Sequence, residues 1–212
     1  MFQRRQCTLL ETPIVSGLND ELDLGRDLTS ISDTDQWFGV IYKFPTVLHA
    51  RASFSFDINP GSLQKTLVHV LSSLRDSPIS MEITVANLDG YSLGRVDFKI
   101  GVGNGEGFDI LDDSEVERIL DRIENRGSFD TLDLAFHLHY VIEDGRSHKV
   151  HEDHYIMRFA FRPGRVELLV HHLKGMRRVD SVELVRLLLR QLNTELSRMR
   201  LPEVESEEIS ST

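Results

Sequence analysis

Most of the side chains that could do chemistry lie between residues 137 and 172. His137-Leu138-His139, then His148, His151 and His154, then His171-His172, hold seven of the nine histidines in the 212-residue chain. Imidazoles beside a carboxylate bind zinc, iron or manganese, or act as proton carriers near neutral pH. Whether these residues share a site depends on how their strands pair. A two-residue turn at Asp144-Gly145 sets Leu132 against Met157 and Leu134 against Tyr155 on an apolar face. The opposite face then pairs Ala135 with His154, His137 with Glu152, His139 with Val150 and Val141 with His148.

A third strand follows across Pro163-Gly164, with Phe161 facing Val166 and His171 falling opposite Ile156 on the histidine face. One face thereby gathers His137, His139, Glu152 and His154, with His171 beside them. Strands about 4.8 Å apart, and residues i and i+2 nearly 7 Å apart, put such side chains within reach of one cation. The expected metal set is His137, His139, His154 and Glu152, with Glu152 as ligand or base. A one-residue slip would scatter it, and there is no His-Glu-x-x-His motif. Solvated surface histidines are the plainer reading, and a pH-responsive surface is a third.

Other candidates carry less. Gly101-Val102-Gly103-Asn104-Gly105-Glu106-Gly107 follows a strand, but no P-loop lysine succeeds it, and Glu106, Asp109, Asp112 and Asp113 repel an anion. Acids at 109–115 lack EF-hand spacing and suit a helix start. Lys174, Arg177 and Arg178 form a basic turn, read as a solvated loop or as a contact for an acidic partner or phosphate. No Ser/His/Asp or Cys/His arrangement can be defended, and Cys7 reads as a spectator thiol. His49 and His69 stand apart from the set.

The positioning elements are read from periodicity. Residues 37–44 and 49–58 read as strands, the second alternating Ala50, Ala52, Phe54, Phe56 and Ile58 against polar residues. Asn59-Pro60 caps and opens a helix with a stripe of Leu63, Leu67, Val70, Leu71 and Leu74, stopped by Pro78. Asp89-Gly90 signals a hairpin pairing Ile83 with Val96, Met81 with Phe98 and Ile79 with Ile100. Asp113 caps a second helix ending at Gly127, and strands follow at 130–143, 147–161 and 165–172. Asp180 caps the last helix, with Glu183 as a capping-box partner and a stripe from Val182 to Met199.

The order ββαββ-αβββα predicts an α+β fold with an antiparallel sheet of about seven strands. The long amphipathic C-terminal helix must lie on that sheet or on a partner. In element order, a sheet gripping a long C-terminal helix resembles helix-grip lipid-binding folds and some small acidic secretion chaperones. That resemblance implies a small apolar ligand or a protein client. Residues 1–36 read as an irregular arm, 37–200 as one α+β domain with a hinge at 101–112, and 201–212 as a disordered acidic tail.

Lys and Arg total 24 against 34 Asp and Glu, a formal charge of −10. That balance disfavours nucleic acid or an anionic membrane as the main partner. No window reaches the roughly 18 apolar residues of a membrane span. A cytoplasmic location is the default expectation. With no catalytic signature, the expected function is a non-enzymatic binding module, an adaptor or chaperone-like protein that forms a homodimer or engages a protein partner. The apolar last helix and a part-apolar hairpin end at Leu138, Tyr140 and Ile142 motivate it. A metal-dependent enzyme on the 130–172 meander and a helix-grip ligand binder are the alternatives.

Overall fold

A computed structural model describes residues 38–85, 90–143 and 148–212; the side chains of 84–93 and 142–149 fall outside that description. The expected arm at 1–36, the Asp144-Gly145 turn, Asp89 and the side chain of Ile142 lie outside the described residues. The elements are β1 (Ala50–Ser55), α1 (Pro60–Asp76), β2 (Ile79–Val85), β3 (Gly90–Gly103), β4 (Phe108–Ile110), α2 (Asp113–Arg126), β5 (Thr131–Glu143), β6 (His148–Arg162), β7 (Arg165–Gly175), α3 (Ser181–Arg198) and β8 (Glu205–Ser211).

All strands join one antiparallel sheet in the order β2-β3-β5-β6-β7-β1-β8, with β4 on the end of β3. The sheet curls into a half-barrel, and the expected α+β class with an antiparallel sheet holds. Its concave side carries Phe54, Phe136, Leu138, Met157, Phe159, Leu168 and Val170, all essentially buried. Helix α1 supplies Leu63, Leu67, Leu71 and Leu74 to the same core and packs against α2, α3 and β3. Asn59 caps α1, its Oδ1 accepting from the N–H groups of Gly61 (2.9 Å) and Ser62 (3.3 Å), and Pro60 opens it as expected. Helix α3, capped by Asp180 through the Val182 N–H (2.8 Å), buries Leu184, Val185, Leu187, Leu188, Leu192 and Leu196. It lies on β1, β7 and β8, so its apolar stripe is covered within the chain. Glu183 pairs with Arg186. No helix among the described residues is long and apolar enough to cross a membrane.

Several expectations are corrected. Residues 38–44 form no strand. They begin a strap, 38–48, tied across the sheet by Gly39 N–H to Gly103 O (2.7 Å) and Ile41 N–H to Asp133 Oδ2 (2.8 Å). Gly39 at φ +85° and Pro45 interrupt any pleat, and Gly103 lets the strap approach because a Cβ there would sit 2.8 Å from the Val40 carbonyl carbon. Within the 101–112 segment, β3 turns through 104–107 into β4, closed by Asn104 N–H to Gly107 O (3.1 Å). Residues 201–212 are no disordered tail, because β1 offers an open edge on which 205–211 pair as β8.

Two hairpins slide in register. Ile79 faces Val96 and Met81 faces Gly94, with Val85 opposite Gly90, so the partners differ from those expected from the Asp89-Gly90 signal. In the β5–β6 pair, Leu134 faces Met157 and Glu143 faces His148. Each slide displaces the partner by an even number of residues. The period-two side-chain pattern therefore keeps every residue on its expected face while changing its neighbour. The β6–β7 register stands as expected: Phe161 faces Val166, Phe159 Leu168, Met157 Val170 and Ile156 His171.

Buried polar groups tie helices to sheet. Gln64 of α1 is buried; its Nε2 donates to Phe129 O (2.7 Å) and its Oε1 accepts from Phe129 N–H (2.8 Å). Gln64→Leu leaves both backbone groups without a partner. It is expected to cost about 2–4 kcal/mol, read as a lower urea midpoint at unchanged slope.

Candidate functional site

On the outer face of the sheet, the observed register sets His137 directly opposite His154 and His139 opposite Glu152. The His137 and His154 rings lie 4.2 Å apart between centroids. Glu152 reaches both sides: Oε1 is 3.3 Å from His139 Nδ1 and Oε2 is 3.7 Å from His154 Nε2. All four expected residues thus come together, through partners different from those expected. The neighbouring strands extend the row, Lys99 opposite His137 and Lys174 opposite His154. Desolvation first, then the charges of His154 and His139, push His137 below its ordinary range; Glu152 opposes this and Lys99 adds to it. Among the described residues, no group of three or more His, Cys, Asp or Glu is placed to hold a metal ion.

His171 stays out of this group. Its Nδ1 contacts Val47 O of the strap (2.6 Å), and its ring lies 5.2 Å from His49. His151 faces the other way and stacks on Tyr140 at 5.8 Å. The hairpin end is covered on its inner side, where Leu138 and Tyr140 are buried.

A second site, missed in the sequence, is built around Asp153. This carboxylate has no exposed surface. Its Oδ1 accepts from the Arg177 N–H (2.8 Å), and its Oδ2 from the Tyr140 hydroxyl (2.9 Å) and the Arg178 N–H (2.9 Å). A β-bulge makes this possible: Tyr155 faces His172 but His154 faces Lys174, leaving Leu173 as the extra residue and turning β7 toward Asp153. Gly175 follows at φ +111°, and a Cβ there would come within 2.2 Å of Asp153 Oδ1. Arg177 takes the left-handed conformation, φ 49°, which its N–H bond to Asp153 holds in place. Strict alternation was the available signal. Asp153 shares the face of Tyr155, Met157 and Phe159, and a carboxylate in that company needs partners.

Histidines complete the node. His172 Nε2 stands 3.5 Å from Asp153 Oδ1, an ion-pair distance without a formed hydrogen bond. Burial outweighs the carboxylate and pushes His172 below its ordinary range. The His172 backbone N–H donates to His49 Nδ1 (2.9 Å), which commits that nitrogen to being an unprotonated acceptor. Burial, then Arg177 and the two neighbouring imidazoles, push His49 down as well. Burial, then the hydrogen bond to Asp153, push the Tyr140 hydroxyl above its ordinary range, so it remains a donor. The lone pairs of Asp153 are engaged by loop and hydroxyl donors, so the carboxylate anchors rather than reacts.

What it anchors is the loop 173–178, made of the end of β7 and the turn after it, with Leu173 and Met176 exposed at 50% and 64% beside Lys174, Arg177 and Arg178. Val141 and Val150, paired across β5 and β6, add exposed apolar surface at the same end of the sheet. No protein-family model, no curated protein and no solved structure matches the chain.

Asp153→Ala removes the acceptor for three backbone N–H groups, those of Arg177, Arg178 and Val179, and for Tyr140, and is expected to cost about 3–5 kcal/mol in urea unfolding. The pH dependence has a definite sign. His49 and His172 have folded values below their ordinary 6.5, so below that pH the unfolded chain binds protons that the folded chain refuses. Stability is fully present above pH 6.5 and falls as pH drops through it toward the folded values. The urea midpoint should therefore decrease between about pH 7.5 and 5.5, above the range where carboxylates titrate. A His49→Asn/His172→Asn variant should show a shallower decrease.

Proposed function

We propose that this chain is a non-enzymatic binding module whose contact surface is the loop 173–178 together with the exposed end of the β5–β6 face. The observation that carries this reading is the fixing of an exposed apolar and basic loop by a fully buried carboxylate. Leu173 and Met176 project beside Lys174, Arg177 and Arg178 from a backbone held by Asp153. A preordered loop loses less conformational entropy when it binds, which favours a contact role over a merely solvated turn. The basic residues stand against a net charge of −10, so they attract an acidic partner locally where the rest of the surface repels one. The partner is a protein or a second copy of the chain, and the cytoplasm is the compartment we assign to it. The apolar stripe of α3 is occupied by the sheet and supplies no argument for a partner.

A benzophenone amino acid placed at Met176 in cells is expected to give one discrete cross-linked conjugate, and the same group at Asp121 on α2 none. Equal labelling at both positions, or at neither, overturns the reading.

The gathering of His139 and His154 around Glu152 supports a second reading, a zinc, iron or manganese site in a metal-dependent enzyme. Elemental analysis of the purified protein decides it. Stoichiometric metal that vanishes in His137→Ala/His139→Ala favours the enzyme, and metal-free protein with intact fold removes it.

A further inference from the structure

Strand β8 has the wrong composition for a strand. Glu205-Ser206-Glu207-Glu208-Ile209-Ser210-Ser211 is rich in residues depleted from sheets, and only Ile209 and Ser210 are partly covered. Its order must therefore come from what it lies on. Three features of the acceptor are specific. The side chain of Asn193 on α3 reads the Val204 backbone in both directions, Oδ1 accepting from its N–H (2.9 Å) and Nδ2 donating to its carbonyl (3.1 Å). The Val204 side chain is buried in the main core. At the bulge between Ser53 and Phe54, Glu207 is the extra residue of β8. Its Oε2 accepts from Ser53 Oγ (2.9 Å) and lies 3.1 Å from Arg165 Nη2, while Arg165 Nε donates to Ser53 Oγ (2.6 Å). Beyond the bulge, Ile209 is set opposite the buried Ala52.

Together these are the parts of a peptide-recognition groove: a sheet edge, a backbone clamp, an apolar slot and a cationic clamp for one carboxylate. From this geometry we infer that the β1 edge and the adjoining face of α3 form a strand-acceptor site for an extended acidic segment of a partner protein. That segment has the pattern Val-x-x-Glu-x-Ile, and residues 204–209 are its resident occupant in cis. The pattern is the set of positions the acceptor touches: Val204 in the slot, Glu207 in the clamp and Ile209 over Ala52. The remaining positions point to solvent and carry no requirement. The resident segment is suited to leave. Among the described residues it pairs on one side only and it buries one apolar side chain fully, which places it at the low-stability end of the structure. A partner strand with the same three contacts replaces it at little net cost, so the tail acts as an intramolecular competitor that sets the threshold for binding. This inference deepens the binding-module reading but does not depend on the loop 173–178.

The test uses the full chain and a synthetic peptide of residues 203–212, followed by hydrogen exchange resolved along the sequence. Without peptide, amides of 205–211 are expected to exchange about tenfold or more faster than those of β5 and β6. With peptide in large excess, the resident amides lose protection while those of β1 keep theirs, because the edge has changed occupants. A peptide carrying Glu207→Lys has no such effect, and Arg165→Glu in the chain weakens the response to the original peptide. A Leu173→Ser/Met176→Ser variant retains the displacement, which separates this site from the loop. Exchange of 205–211 only at the rate of the central strands, unaltered by peptide, overturns the inference. So does a dimer in light scattering whose formation is abolished by Arg165→Glu, since the occupant would then be a second copy.

Discussion

A carboxylate without exposed surface in the middle of β6 has to be satisfied by its neighbours, and one end of the molecule is arranged to do so. Asp153 draws a tyrosine hydroxyl from β5 and three backbone N–H groups, those of Arg177, Arg178 and Val179, from the loop entering α3. Tyr155, on the same strand, donates its hydroxyl to Val179 O and so reaches the same loop. The bulge at Leu173, the positive φ of Gly175 and the left-handed Arg177 are the backbone adjustments that deliver those donors. An unpaired charge there would be far costlier than the strain in two residues. The placement of α3 on the sheet follows from the loop, because Asp180 begins the helix immediately after the last residue that Asp153 orients.

The opposite face shows the same economy with different chemistry. Asp133, also without exposed surface, receives Arg158 through two hydrogen bonds of 2.7 Å and the Ile41 N–H of the strap, while the Phe44 ring lies over the guanidinium. The strap covers this level of the outer face through Gly39 and Ile41 at Asp133 and Phe44 over Arg158. That is why Ala135 and Ile156 are buried on a face where, a few residues further along the same strands, Val141 and Val150 are exposed. In the histidine row His139 and His154 keep 25% and 20% of their side-chain surface, against 12% for His172 beside Asp153.

Much of the fold was legible in local pattern. Asn59-Pro60, Asp180 and the stripes of α1 and α3 depend on neighbours within a few positions, and all three appear where the residues place them. The faces of β2, β3, β5 and β6 were legible too, because alternation survives any even slide in register. The partners across each strand were not, since turn length sets them and a four-residue connection fits the same alternation as a two-residue one. His137 therefore meets His154 rather than Glu152, and the carboxylate faces His139 while also reaching His154.

What the amino-acid sequence determined by itself is the set of helices, the antiparallel class, and the face on which each meander side chain lies; these follow from period and capping. What only the tertiary structure decided is everything that needs a distant partner. Residues 38–48 become a strap because Gly103 and Asp133 accept them, and 205–211 become a strand because β1 has an edge to fill. Asp153 becomes an anchor because a bulge brings loop N–H groups to it. In each case the residue types permit several states, and the hydrogen bonds that choose among them come from parts of the chain far away in sequence.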